Sequence, residues 1–213
     1  MEESNTKDRI LNAAERLFAE QGFRGAGIRA ITQMAGVNAA AVNYHFGSKE
    51  QLLEAVIERR IVPINEERMA LLEAVLLEAE RQGIKPPMEP LVRALVAPTI
   101  RGLVQGGPEL RFHVLAARMV TDPDPQLQAI FHKYMDRAIL AFVSAFCGAL
   151  PDLPMERVVM RLQFVIGAML HTVHCLHGSH PVIRIIREFP EKLDVEAVTE
   201  SLIRFLVRGM EGV

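Results

Sequence analysis

Cysteine is scarce: Cys147 and Cys175 are the only two in 213 residues, and both sit among apolar neighbours. So low a count excludes a disulfide scaffold and fits a reducing cytoplasm. The alternation of aromatic and β-branched residues that marks strands is nearly absent, so no sheet is expected. No run of about 18 uninterrupted apolar residues occurs, and no membrane span is expected. The longest candidate, Ile139 to Leu150, is short and broken by Ser144 and Gly148. The N-terminus, MEESNTKDR, is polar and of mixed charge, unlike a secretory signal. Basic excess is missing too: 24 Lys and Arg against 26 Asp and Glu leave a formal charge of −2. Any nucleic-acid surface must therefore be local. Half of the residues are hydrophobic and 23% are charged, which excludes disorder along the whole chain.

What is present is helical periodicity. Ile10, Ala13, Ala14, Leu17 and Phe18 form an apolar stripe that opens after Asn5 and Thr6 as capping residues and stops near Gly22. Short helices are predicted from Ile28 to Ala35 and from Ala39 to about His45. Ser48 to Gln51 reads as a capping box for a fourth helix, which runs past Arg60 until Pro63 bends or ends it. Between later Gly and Pro punctuation lie apolar-periodic segments over Leu91–Gln105, Pro108–Val120, Gln126–Leu150, Met155–His177 and Val195–Met210. The expectation is an all-α chain of about nine helices.

Charge is distributed unevenly. From Gln21 to Lys49 there is no Asp or Glu, while Arg24, Arg29, His45 and Lys49 stand within that window. The same window holds two short helices joined by Gly36-Val37-Asn38, the pattern of a helix-turn-helix. Gly36 sits where the chain leaves the first helix, with a positive φ expected, and Asn38 is placed to cap the second. Ile31, Ala35, Val37, Val42 and Phe46 supply the apolar contacts that fix the angle between them. The second helix is then expected to enter the major groove by its N-terminal residues; the alternative is an ordinary helical hairpin inside an all-α bundle.

Gly22-Phe23, Ile28-Arg29, Ile31, Ala35-Gly36-Val37 and Tyr44-His45-Phe46-Gly47-Ser48-Lys49-Glu50, followed by Leu52-Leu53, resemble the TetR family of bacterial transcriptional regulators. The specific match runs from about Ile10 to Val56; the remainder matches in size and helical character. The resemblance implies a helix-turn-helix DNA-binding domain over residues 1–48 and a larger helical effector-binding and dimerisation domain over 49–213. It further implies a ligand-released repressor that binds a near-palindromic operator as a homodimer, with Met155–His177 and Val195–Met210 as the interface. Ala26 and Gly27 stand where the family often has Thr or Ser, which leaves the backbone N–H groups after Gly27 to hold a phosphate. Ala39, Ala40 and Ala41 replace the polar residues that often open the recognition helix. Base reading then rests on Asn43, whose amide can bond adenine, with the three alanines against thymine methyls. Arg29 reaches a guanine or a phosphate, and Tyr44, His45 and Lys49 grip the backbone. Tyr44 as a half-core residue and His45 as a mere cap are the structural alternatives.

The larger domain is rich in Phe and Met, which suits an adaptable helix core or pocket. Phe112, His113, Met119, Tyr134, Phe164, Gly167 and His171 are the candidate effector-pocket residues, with His113, Arg118, Tyr134 and His171 available to a carboxylate. The segment Ala39–Lys49 is most similar to that of fatty-acid-responsive regulators, which implies a small apolar or amphipathic effector, a fatty acid or acyl-CoA. His171, His174, Cys175, His177 and His180 could geometrically form a metal site. No carboxylate lies nearby and the helix C-terminus itself favours histidine, so a pocket or interface role is expected and no metal or other cofactor. An enzyme using His113 and Arg118 is the competing class, but no G-x-S-x-G, P-loop or H-E-x-x-H motif is present. A third reading keeps DNA binding in an architectural, effector-independent role.

Overall fold

Apolar residues at three- and four-residue spacing become helix throughout the computed structural model, which describes residues 2–104, 124–176 and 194–212 together with 111, 112, 115, 116 and 119. Eight helices stand among the described residues, and no strand. They are α1 (Glu2–Gly25), α2 (Ile28–Ala35), α3 (Ala39–Phe46), α4 (Lys49–Gln82), α5 (Met88–Val104), α6 (Pro125–Ala149), α7 (Met155–Leu176) and α8 (Val195–Glu211). Within the expected Pro108–Val120 helix, the five described residues are helical, while His113 and Arg118 lie outside the described residues.

Two expected boundaries change. The first helix begins at Glu2 rather than after Asn5 and Thr6, so neither residue caps it. The polar first turn extends the helix that the apolar stripe anchors. As expected, the helix breaks at Gly22, where φ is 75° and ψ 168°. Of the two expectations for Pro63, bending or ending the fourth helix, ending does not hold, since the helix continues to Gln82. A proline removes one hydrogen bond and crowds the preceding turn, and the long runs of helix on either side outweigh that cost.

The chain forms two compact units, one of Met1–Pro63 with Gly106–Tyr134, the other of Ile64–Gln105 with Met135–Val213. In the first, α1 packs on α2 and α2 on α3. Ile10, Ala14, Phe18, Ile31, Val42, Leu52, Leu53 and Val56 are completely buried there. Two polar ties fix the arrangement. Arg9 Nη2 donates to the carbonyls of Ala35 (2.5 Å) and Gly36 (2.8 Å), holding α1 to the C-terminus of α2. Buried Glu15 accepts from Arg59 (2.5 Å) and Arg60 (3.0 Å), holding α1 to the first half of α4.

In the second unit α5 packs on α7 and α8, and α7 on α8. Phe142, Phe146, Leu91, Ile100 and Ile203 are buried at its centre, with the two phenylalanine rings 6.2 Å apart. Arg68 is buried as well, with no carboxylate among its hydrogen-bond partners in the described residues. It donates to the Leu95 carbonyl (3.0 Å), Asn65 Oδ1 (2.9 Å) and Thr99 Oγ1 (2.5 Å). Burial pulls its pKa down to about 10, so it stays protonated near neutral pH. Pro98 stands within α5 beside this knot.

Candidate nucleic-acid interface

The turn between α2 and α3 is built by its own residues. Gly36 adopts φ 65° and ψ 40°, and its N–H caps α2 on the Gln33 and Thr32 carbonyls. Any other residue is strained at that φ, and a Cβ there would stand 2.6 Å from Arg9 Nη2. Asn38 Oδ1 accepts the Ala41 N–H at 2.9 Å and so starts α3, as its position predicted. Ser48 Oγ accepts the Gln51 N–H at 3.1 Å, the first half of the expected capping box of α4.

Capping fixes which side of α3 faces out. Val42 and Phe46, one turn apart, point into the core. Ala39, Ala40, Asn43 and Tyr44 are exposed along the opposite side, at the three- and four-residue spacings of one helix face. Tyr44 is 76% exposed, which excludes the half-core alternative. Its ring meets that of His45 edge-on at 5.1 Å. Ala41 and His45 are half-buried, and Val37 is less enclosed than Ile31 and Ala35.

Gly27 is the N-cap of α2 and offers no side chain to its first N–H groups, while Arg29 is exposed one residue into that helix. Lys49 is half-buried, with its ammonium 4.5 Å from the centre of the Phe23 ring. Desolvation pushes its pKa down, against an opposing pull from Glu50. The acid-free window also acquires an acidic neighbour that spacing does not reveal. Arg24 forms a 3.0 Å ion pair with Asp124, one hundred residues later in the chain. Arg24 and the capped N–H of Gln126 hold the Asp124 carboxyl below its usual range.

The residues expected around an effector are placed as follows. Phe112 and Met119 are buried. Tyr134 belongs to the first unit, where its hydroxyl donates to Glu54 (3.2 Å) beside the Lys133 ammonium, and burial followed by Glu54 pushes its phenol up. Phe164, Gly167 and His171 lie together on an exposed side of α7, in line with Met160. Of the His and Cys residues near the end of α7, the His174 side chain and residues 177 and 180 fall outside the described residues, and Cys175 is a half-buried thiol raised by burial. The second unit holds a cavity of about 770 Å³ between α4, α5 and α8, lined by none of the predicted pocket residues.

Residues 10–56 match the family model for bacterial regulatory proteins of the tetR family. Residues 93–209, more than half of the chain, match the tetracyclin repressor-like C-terminal domain. The chain belongs to the TetR family. Among relatives of this TetR chain is the HTH-type transcriptional regulator UidR of Escherichia coli (strain K12), 42% identical over 52 residues, 24% of this chain and 26% of UidR. The HTH-type transcriptional repressor NicS of Pseudomonas putida is 39% identical over 61 residues, 29% of each chain. The matched stretch thus spans under a third of these relatives. The fold is shared more widely. The fatty acid degradation regulator FadR from Bacillus halodurans superposes with a TM-score of 0.66 at 15% identity, over 95% of this chain and 94% of that one.

Proposed function

We propose that this protein is a cytoplasmic transcriptional repressor, without enzymatic activity, that binds a near-palindromic DNA operator as a homodimer and releases it on binding a small effector. The observation that carries the DNA-binding part is the outward face of α3: Ala39, Ala40, Asn43 and Tyr44 exposed on a short, side-chain-capped helix in a window without carboxylates. Residues 1–48 serve DNA binding and 49–213 effector binding and dimerisation. Asn43 reads adenine in the major groove, and Ala39, Ala40 and Ala41 meet thymine methyls. Arg29, Tyr44, His45, Lys49 and the N–H groups after Gly27 take the phosphate backbone, with Asn38 holding α3 in place.

Dimerisation is supported by apolar surface that a soluble monomer rarely leaves bare. Phe164 and Met160 on α7 and Phe205 on α8 are exposed on helices that pack together, and His171 lies on the same stretch of α7. NicS is a transcriptional repressor, and FadR a regulator of fatty acid degradation. Together with the Phe- and Met-rich helices, they support a fatty acid or acyl-CoA as the effector.

Asn43→Ala separates base reading from phosphate contact. We expect a loss of roughly 1–3 kcal/mol on the cognate operator and a relaxed preference there. Lys49→Ala weakens all sequences alike and lowers the salt slope by about one. Equal losses from both variants on cognate and scrambled sites would break this division. Sedimentation showing only monomer at micromolar concentration would overturn the dimer.

A further inference from the structure

The cavity of about 770 Å³ in the second unit falls within the range of roughly 300–1,000 Å³ common for small-molecule sites. Leu71 and Val75 of α4, Ala94, Ala97 and Ile100 of α5, and Val195 of α8 form its apolar walls. Among the described residues no aromatic ring lines it, and two alanines on α5 leave room along that side. Such walls suit a flexible aliphatic chain, which needs dispersion contact all round, rather than a planar ring that would gain from stacking.

Both of its guanidiniums, and two of its carboxylates, are already engaged. Arg93 makes a bidentate pair with Glu200, at 2.5 and 2.8 Å, and reaches Glu89 at 2.9 Å. Arg101 pairs with Glu67 at 2.5 Å. Asp194 accepts the N–H groups of Glu196 (3.0 Å) and Ala197 (3.2 Å) at the start of α8. Lining carboxylates outnumber guanidiniums, with Asp194, Glu196 and Glu200 against Arg93 and Arg101. An anionic head group entering here would have to displace an internal carboxylate and face the others. From this geometry we infer that the cleft takes the hydrocarbon chain of an amphiphile and leaves its head group at the solvent edge, so that chain length and not head-group charge sets affinity. The inference rests on the effector reading above but names a seat that excludes Tyr134 and His171 from head-group recognition. The Arg93–Glu200 pair joins α5 to α8 beside the cleft, and α8 carries exposed Phe205. A chain wedged between these helices loads that pair and thereby the helix proposed to dimerise.

Calorimetry of the full chain with straight-chain alcohols of six to twelve carbons, and with decanoate, tests the seat directly. Each added methylene is expected to tighten binding about fourfold until the cleft is full. Decanol should bind at least as tightly as decanoate. Ala97→Leu, at a half-buried position, should weaken decanol at least tenfold with little change in unfolding temperature. Val75→Ala should move the chain length at which the gain stops upward, and it carries the test should Ala97→Leu fail to fold. Decanoate binding more than tenfold tighter than decanol, or wild-type alcohol binding in both variants, would overturn the inference. Operator release is measured separately. Binding in the cleft without release leaves the seat standing and breaks the effector reading, whereas acyl-induced release that is unaffected by Ala97→Leu does the reverse.

Discussion

The helix-turn-helix and the long-helix unit behind it achieve definite structure by different means. In the first, individual residues hold individual backbone positions: Gly36 turns the chain, Asn38 starts α3, Ser48 starts α4 and Arg9 ties down two carbonyls. With α2 and α3 only eight residues each, helix propensity alone is too weak to hold them, since short helices are marginal in water. The helices that contribute to the second unit, α4, α5, α6, α7 and α8, are 17 to 34 residues long in full. Stability there comes from side-chain volume around Phe142, Phe146 and Ile203. Local devices leave a readable signature at fixed spacing, whereas volume can be supplied by many residue combinations.

The largest expected effect lies on the volume side of that contrast. Phe142→Ala removes a completely buried ring and should cost about 3–5 kcal/mol in denaturant unfolding. Volume-conserving Ile203→Leu should cost less than about 1.5 kcal/mol. Equal costs for these two would show that the second core is also specified residue by residue. Next comes Gly36→Ala, which adds one methyl group. The positive φ costs about 1–2 kcal/mol, and Arg9 must leave its carbonyls as well. A loss as small as that of an exposed helix substitution would refute the dependence of the first unit on backbone position.

Asn38→Ala should remove about 1 kcal/mol through the lost cap, with Asn38→Ser recovering most of it. If serine did not rescue, the contribution of Asn38 would not be capping. The smallest effect is on the pH profile. Arg93 holds the Glu200 carboxyl below its usual range, so the α5–α8 pair stabilises the fold above the ordinary glutamate pKa near about 4.3. That contribution is lost as the pH falls through the depressed folded value. Thermal unfolding from pH 6 downward should therefore show a slightly steeper acid loss in the wild type than in Glu200→Gln. Identical slopes would show that the pair is not held in solution.

Several features were legible because they are local. The apolar stripe of α1, the positive φ of Gly36, the Asn38 and Ser48 caps and the inward Val42 and Phe46 all follow from spacings within a turn or two. The helix start at Glu2 and the continuation through Pro63 were not, since a polar first turn and an internal proline are decided by the helix around them. Contacts distant in sequence carried no signal. Arg24 meets Asp124, and Arg68 meets Thr99, because tertiary packing brings those segments together.

By itself, then, the sequence determined the all-helical class, the helix-turn-helix with its turn and caps, and the outward face of α3. Each rests on interactions between residues a few positions apart, which the order of side chains dictates. Tertiary structure alone decided that Lys49 lies over Phe23, that an acidic residue answers Arg24, and that Phe164, Gly167 and His171 face outward. It alone opened an aliphatic cleft between α4, α5 and α8. A helix face that is apolar in sequence can be buried against a neighbour, left bare or turned toward a cavity, and only the packing of the other helices chooses among these.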